Sequence, residues 1–326
     1  MSLIAHILRP LDEEPLAHLQ SLLHPSIQVS VGPELHSGNK VEILVAGWPK
    51  QDHLDACSNL HILIIPFAGV PKETIDLMRT YPQISVHNLH YNAAATAEMA
   101  ISLLLAAAKF LVPIDRAFRQ HDWTPRYEPN PALLLENRSV LVLGYGAIGI
   151  RVARACLGLG MRVKALRREF NGSEPDSEVE IHPSNELRQL LPEAEVLIVC
   201  LPLTPETDGL IDENTLDLLP EGAILVNVAR GSIVNESALF QALRDGRLYA
   251  AGLDVWYRYP EDESARSRTA PSQFPFHELE NVVMSPHRAG GAKGLEFRRM
   301  EKLAELLNAA ARGDQIPNRV DISLGY

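Results

Sequence analysis

The stretch from Val140 to Arg168, VLVLGYGAIGIRVARACLGLGMRVKALRR, admits few folds. An apolar run reads as a buried strand, three glycines follow in the spacing G-x-G-x-x-G, an amphipathic helix comes next, and a second strand closes the unit. In that context Gly144 permits a tight turn, Gly146 lets backbone approach a ligand, and Gly149 lets the helix pack closely on the strand. The free amides of Gly144, Tyr145, Gly146, Ala147, Ile148 and Gly149 then face an anion at the helix N-terminus, where a dinucleotide's pyrophosphate is the expected occupant.

The same alternation continues along the chain. From Arg138 onward RSVLVLG, MRVKALR, EVLIVCLP, GAILVNVA, YAAGLDVW and NVVMSP read as six strands, most of them nearly continuous in apolar residues. Such runs suit a parallel, doubly wound sheet covered on both faces. Within the first 90 residues LIAHIL, IQVSVG, EILVAG, HILIIP and ISVHNL predict five further strands of a second parallel sheet. The alanine-rich segment from Asn92 to Gln120 is helical in pattern, and Pro113 is expected to break it into two helices. A last helix, from about Lys293 to Arg312, follows the sixth strand and is expected to return to the first domain. That domain, closed by PNRVDISLGY, is then discontinuous in sequence.

A chain of 326 residues is long enough for two domains. Its net charge of -11 argues against general affinity for nucleic acid or an anionic membrane surface. Cys57, Cys156 and Cys200 share no close spacing and read as core thiols, which points to a reducing compartment. MSLIAHILRPLDEEP is too short and too soon acidic for a signal peptide, and the longest apolar run, Met99 to Ala108, is too short to span a bilayer. The expected location is the cytoplasm.

Ligands bind at the carboxyl ends of the strands in sheets of this kind. At the end of the second cofactor-sheet strand, where an acidic residue usually meets the ribose of NAD, stand Arg167 and Arg168. Two guanidiniums suit a 2'-phosphate, so NADP is favoured over NAD, although Glu169 lies close enough to reach a ribose. Arg230 lies just past a buried strand in LVNVARGSIVNESAL, placed either to hold a carboxylate and polarise a carbonyl or to form a structural salt bridge. His287, at the end of the sixth strand, has the right chemistry to exchange a proton with an alkoxide near neutral pH. His87 and His90 in HNLH point to opposite faces of an extended segment and have no third ligand nearby, so no metal is expected. The insert YRYPEDESARSRTAPSQFPFHELE reads either as a substrate-shaping lid or as an ordinary mobile surface. The N-x-[ST] sequences at Asn137, Asn171 and Asn235 carry no further meaning in a cytoplasmic chain.

FAGV with ETID after it, YNAAATAEMAISLLLAAAK, GYGAIG, LPLTPET, NVARGSIVNESAL, GLDVW and SPHRAG occur in the order in which the D-isomer-specific 2-hydroxyacid dehydrogenases carry them, and the chain resembles that family over most of its length. The resemblance implies an α/β chain of two doubly wound parallel-sheet domains. A flavodoxin-like substrate domain would comprise residues 1–95 plus 293–326, and a Rossmann NAD(P)-binding domain residues 96–292. It also implies a cleft closed by hinge motion, a homodimer formed through the cofactor domains, and hydride transfer between NAD(P)H and a small 2-oxo acid, with glyoxylate or hydroxypyruvate favoured. By position Arg230 resembles the arginine that holds the substrate carboxylate and carbonyl, and His287 the acid/base. Asp254 resembles the residue that contacts the nicotinamide amide, and Ala68 and Gly69 the loop that receives the substrate carboxylate. Leu201, Pro202 and Thr207, with Val228 and Ala229, fall on the strand ends and loops that line the cofactor.

One position departs from the family. A glutamate usually stands five residues after the aspartate of LDV, where it orients the histidine and raises its pKa by stabilising the imidazolium. Here that slot holds Tyr259, before Pro260. A tyrosine can orient an imidazole through its hydroxyl but carries no charge near neutral pH, so it cannot replace the glutamate's electrostatic effect; Glu261 or Glu263 could reach back, but Pro260 separates them from the slot. Two other readings therefore stay open: a dinucleotide-sensing interaction protein with little turnover, as in the family's corepressor branch, and hydride transfer on an unusual small anion, as in formate dehydrogenases, where a glutamine fills the slot.

Overall fold

The computed structural model describes residues 2–35, 40–168 and 178–325, and it divides into two compact units, Met1–Asn92 with Gly291–Tyr326 and Ala93–Gly290. Glu169 and Asn171 lie outside the described residues. In the first unit, β1 (Leu3–Ile7), β2 (Ile27–Val31), β3 (Ile43–Val45), β4 (Ile62–Ile65) and β5 (Ser85–Asn88) form a parallel sheet in the order β2-β1-β3-β4-β5. That order is the flavodoxin-like one. The central strands β3 and β4 are buried at every position, whereas β2, at the edge, is buried only at Ile27. Helix Leu295–Arg312 places Met300, Leu303 and Leu307 against one face of the sheet. Leu54, Met78 and Val320 cover the other. The C-terminal segment is tied to β5, since the Val320 amide donates to the Val86 carbonyl at 2.8 Å and the Pro317 carbonyl bonds His87 Nδ1 at 2.8 Å.

In the second unit, β6 (Ser139–Leu143), β7 (Arg162–Arg167), β8 (Val179–Pro183), β9 (Val196–Val199), β10 (Ala223–Asn227), β11 (Leu248–Leu253) and β12 (Val282–Met284) form a parallel sheet in the order β12-β11-β10-β9-β6-β7-β8. Six strands were expected and seven are present. The additional β8 is an edge strand whose Glu180 and His182 break the apolar run that betrayed the others. The order is that of a Rossmann sheet with one strand added, and it reverses between β6 and β9. Pairing register brings Leu143, Val199, Asn227, Leu253 and Met284 into one row at the carboxyl edge. Whatever follows those residues, including Gly144, Arg230, Asp254 and His287, is delivered to that edge.

Helix Ala93–Ala108 covers one face of this sheet and packs so closely that a Cβ on Gly252 would stand 2.7 Å from the Leu103 Cβ. It ends before Pro113, contrary to expectation. Phe110 adopts a left-handed conformation at φ 51°, and a second helix, Leu111–Arg119, begins immediately after it. Pro113 falls in the first turn of that second helix, where amides have no intrahelical acceptor and a missing donor costs nothing.

Candidate active site

The glycine turn hangs from β7: the Gly144 and Tyr145 amides donate to the Leu166 carbonyl at 3.1 and 3.0 Å. Gly144 has φ 97°, and a Cβ there would approach the Cys200 carbonyl oxygen to 2.9 Å. A Cβ on Gly149 would overlap the Gly144 carbonyl oxygen, so the start of helix Gly149–Gly158 is pressed onto the turn. At Gly146, by contrast, an added Cβ meets nothing within 4 Å and the residue is exposed. The turn thus fits a pyrophosphate, with an open backbone at the ligand side and no space behind. The Gly144 and Tyr145 amides, expected to face the anion, are instead engaged by Leu166, and the Tyr145 side chain is buried in the core with Val140 and Val152.

Arg167 and Arg168 are exposed at the end of β7. Arg168 Nη2 lies 2.9 Å from Glu206 Oε2, on the loop that follows β9. In that loop the Thr207 hydroxyl donates to the Pro202 carbonyl at 2.7 Å and accepts from the Thr204 amide at 2.8 Å, while the Thr207 amide donates back to the Thr204 hydroxyl at 3.2 Å. Thr207 therefore staples the loop, with its hydroxyl already engaged. Leu201 is half-buried and Pro202 exposed on the same loop, and Val228 and Ala229 are buried at the end of β10.

Arg230 is set by its neighbours. Asn227 Nδ2 donates to the Arg230 carbonyl at 3.0 Å and Asn227 Oδ1 accepts from the Ala229 amide at 3.0 Å, so one buried side chain fixes the turn. The next residue, Gly231, has its Cα side against the Trp256 carbonyl, where any Cβ would overlap it. The half-buried guanidinium makes one internal bond, Nη1 to the Ala229 carbonyl at 2.7 Å, and forms no ion pair among the described residues. Burial lowers its pKa from the usual value, and Tyr259 partly offsets this. An arginine remains charged under such a shift, so the site holds an unneutralised cation.

Asp254 is fully buried, and both of its carboxylate oxygens hold the segment that carries His287. Oδ1 accepts from the Ser285 hydroxyl at 2.5 Å and the Arg288 amide at 2.8 Å, and Oδ2 accepts from the Ala289 amide at 2.9 Å. The Asp254 carbonyl in turn accepts the His287 amide at 2.7 Å. His287 is held at φ 55°, a left-handed conformation uncommon for a side chain of its size. This positioning role was not legible in the sequence, since its partners are backbone amides more than thirty residues away.

The His287 ring has solvent access, and neither of its nitrogens is hydrogen-bonded to another described residue. Its pKa lies below the ordinary histidine value because the protein behind it disfavours the charged form; the Arg230 charge adds to this and Asp254 opposes it. Asp254 is thus the carboxylate whose charge acts on the imidazole. Glu263 is occupied 2.5 Å from Arg266, on the surface. Tyr259 does not hydrogen-bond the histidine either. Its ring stands 5.5 Å from the imidazole, centroid to centroid, while its hydroxyl accepts the Trp256 amide at 3.1 Å. The hydroxyl proton remains available to donate.

Trp256 joins these parts. Its backbone meets Gly231 and Tyr259, and its indole Nε1 donates to the Ser285 carbonyl at 2.8 Å. The insert after it is anchored: the Tyr257 and Arg258 amides donate to the Pro271 carbonyl, Glu236 accepts from Ser272 and Gln273, and Phe276 is buried between Phe240 and Trp256. In the first unit, the loop after β4 is fixed by Asn88 Nδ2 donating to the Ala68 carbonyl at 2.6 Å. The Ala68 and Gly69 amides find no acceptor among the described residues.

Residues 101–289 match the family model described as D-isomer specific 2-hydroxyacid dehydrogenase, NAD binding domain. A glyoxylate reductase of Korarchaeum cryptofilum is 37% identical over 231 residues, a match that covers 69% of this chain and 65% of that protein. A D-3-phosphoglycerate dehydrogenase of Archaeoglobus fulgidus is 31% identical over 82% of this chain and 49% of its own length. The matched stretches thus span less than two thirds of either relative. Among solved structures, a D-isomer specific 2-hydroxyacid dehydrogenase from Xanthobacter autotrophicus Py2, in complex with NADPH and MES, superposes with a TM-score of 0.81 and 26% identity, covering 100% of both chains.

Proposed function

The chain belongs to the D-isomer-specific 2-hydroxyacid dehydrogenase family, and from that premise we propose that it transfers a hydride between NADPH and a small 2-oxo acid, with glyoxylate or hydroxypyruvate favoured and the D isomer formed wherever the 2-hydroxy acid is chiral. The observation that carries this reading is the pairing at one sheet edge of Arg230, a half-buried guanidinium with no ion-pair partner among the described residues, and His287, whose ring nitrogens are both unengaged. When bound, the nicotinamide supplies the hydride. Arg230 holds the substrate carboxylate and polarises its carbonyl through a planar two-point contact. His287 gives its proton to the carbonyl oxygen as negative charge develops there. The turn from Gly146 to Gly149 holds the pyrophosphate, and Asp254 keeps the His287 segment in place. Arg167 and Arg168 at the β7 end support NADP over NAD. Reduction of hydroxypyruvate with NADPH deuterated at both C4 positions tests the reaction. The product is expected to be the D acid with deuterium at C2, and an unlabelled or L product would refute it.

The uncharged slot at Tyr259 gives the reaction a pH signature. Reduction needs the imidazolium, which is fully present below the folded pKa and lost as pH rises through it. Because that pKa lies below 6.5, kcat/KM for reduction falls early, while oxidation of the hydroxy acid rises through the same pKa and then levels. Tyr259→Glu places a charge beside the ring and is expected to move the fall upward by about one to three pH units. A profile that does not move on Tyr259→Glu would remove the electrostatic account.

A homodimer is supported by the surface of the second unit. Helix Leu111–Arg119 buries none of its side chains, and Phe118 and Trp123 form an exposed edge-to-face pair with centroids 4.8 Å apart, with Tyr127 and Leu134 also exposed nearby in sequence. Single scattered apolar residues need no partner, but a concentration of this kind does. Phe118→Asp is expected to shift the protein from dimer to monomer in analytical ultracentrifugation, and a wild-type monomer would contradict the assignment. A cytoplasmic setting suits the three free cysteines, of which Cys156 and Cys200 have thiols pushed up to about 12 by burial and are therefore unreactive.

A further inference from the structure

Arg168 and Glu206 approach each other from opposite sides of the glycine turn. The strand order β9-β6-β7 sets the end of β6 between the ends of its two neighbours, with Leu143 in register with Val199 on one side and Leu166 on the other. Arg168 is the first residue past β7, and Glu206 stands in the loop after β9, yet their side chains meet at 2.9 Å. The pair therefore reaches across the end of β6, where Gly146 leaves open space. The Thr204–Thr207 bonds hold the Glu206 loop in a fixed shape. Both partners retain water contact, with side-chain exposures of 36% and 72%, and a pair so exposed is held only weakly.

We propose that Glu206 competes with the cofactor's 2'-phosphate for the Arg168 guanidinium, and so sets how strongly the site prefers NADPH to NADH. The proposal uses the dinucleotide placement argued above and adds a residue to it. A ribose hydroxyl can donate to the Glu206 carboxylate while Arg168 stays paired, so NADH binding leaves the contact intact. A 2'-phosphate attracts Arg168 and repels Glu206, so NADPH must take the arginine from the carboxylate. The penalty falls on the phosphorylated dinucleotide alone.

Dissociation constants for NADPH and NADH, read from the fluorescence of the bound reduced nicotinamide, test this on the full chain. Glu206→Gln keeps the size of the side chain and removes its charge, and is expected to tighten NADPH by about fivefold while leaving NADH unchanged or slightly weaker. Arg168→Ala is expected to weaken NADPH, and the double variant should show no further gain from Glu206→Gln. An unchanged NADPH-to-NADH ratio in Glu206→Gln, with an unaltered melting temperature, would overturn the proposal. A wild-type protein that favours NADH would overturn the NADPH preference above, but a shift of the ratio toward NADPH in Glu206→Gln would still support the role of Glu206.

Discussion

His287→Asn is expected to lower turnover with a 2-oxo acid by about 10²- to 10⁴-fold while leaving NADPH affinity within a small factor of wild type. Asparagine is the informative replacement because His287 sits at φ 55°, a conformation that asparagine tolerates better than most residues. The amide of residue 287 can then still donate to the Asp254 carbonyl, and the segment from Ser285 to Ala289 keeps its bonds to the Asp254 carboxylate. What is lost is the imidazole proposed to exchange the proton. Steady-state kinetics beside direct cofactor binding separate the two effects. A variant that retains turnover would show that the proton comes from elsewhere, with the Tyr259 hydroxyl, close to Arg230 and still able to donate, as the next candidate.

The second large effect concerns two glycines that the motif treats alike and the structure separates. Gly149→Ala puts a methyl group into the Gly144 carbonyl oxygen, backbone against backbone, with no flexible atom to yield. Helix Gly149–Gly158 must then move off β6, and overpacking of that kind costs about 1–3 kcal/mol or more. A lower melting temperature and loss of NADPH binding are expected together. Gly146→Ala adds the same methyl to open space, so the fold should melt as wild type does, while NADPH binding weakens because the methyl occupies the line of approach of the pyrophosphate. Equal NADPH affinity in Gly146→Ala would mean that the cofactor does not lie over this turn.

The two glycines also indicate how far the amino-acid sequence carries. The strand–turn–helix around Gly144 was legible because close packing and positive φ leave glycine as the one residue that serves, and the buried strands were legible because coverage on both faces demands continuous apolar runs. The polar edge strand β8 was not, since only Val179 of its residues is buried and its pattern resembles a loop. Pro113 misled for a related reason: a proline breaks a helix from the interior but begins one without cost, and the break belongs to the left-handed Phe110, whose conformation no residue type announces. At the candidate site the absence of a glutamate was plain in the sequence, whereas its consequence needed coordinates. Only the structure shows the Tyr259 hydroxyl turned to the Trp256 amide, Glu263 held by Arg266, and the insert pinned through Glu236 and Phe276.

Arg230 and His287 are proposed to support hydride transfer to a 2-oxo acid although no glutamate charges the histidine. The most direct measurement is the loss of NADPH absorbance when the purified protein is mixed with glyoxylate, hydroxypyruvate and longer 2-oxo acids across acidic to neutral pH. NADPH should be oxidised with at least one of them, with kcat/KM falling as pH rises through a pKa below 6.5. Tight NADPH binding with no oxidation by any 2-oxo acid at any pH would contradict the account.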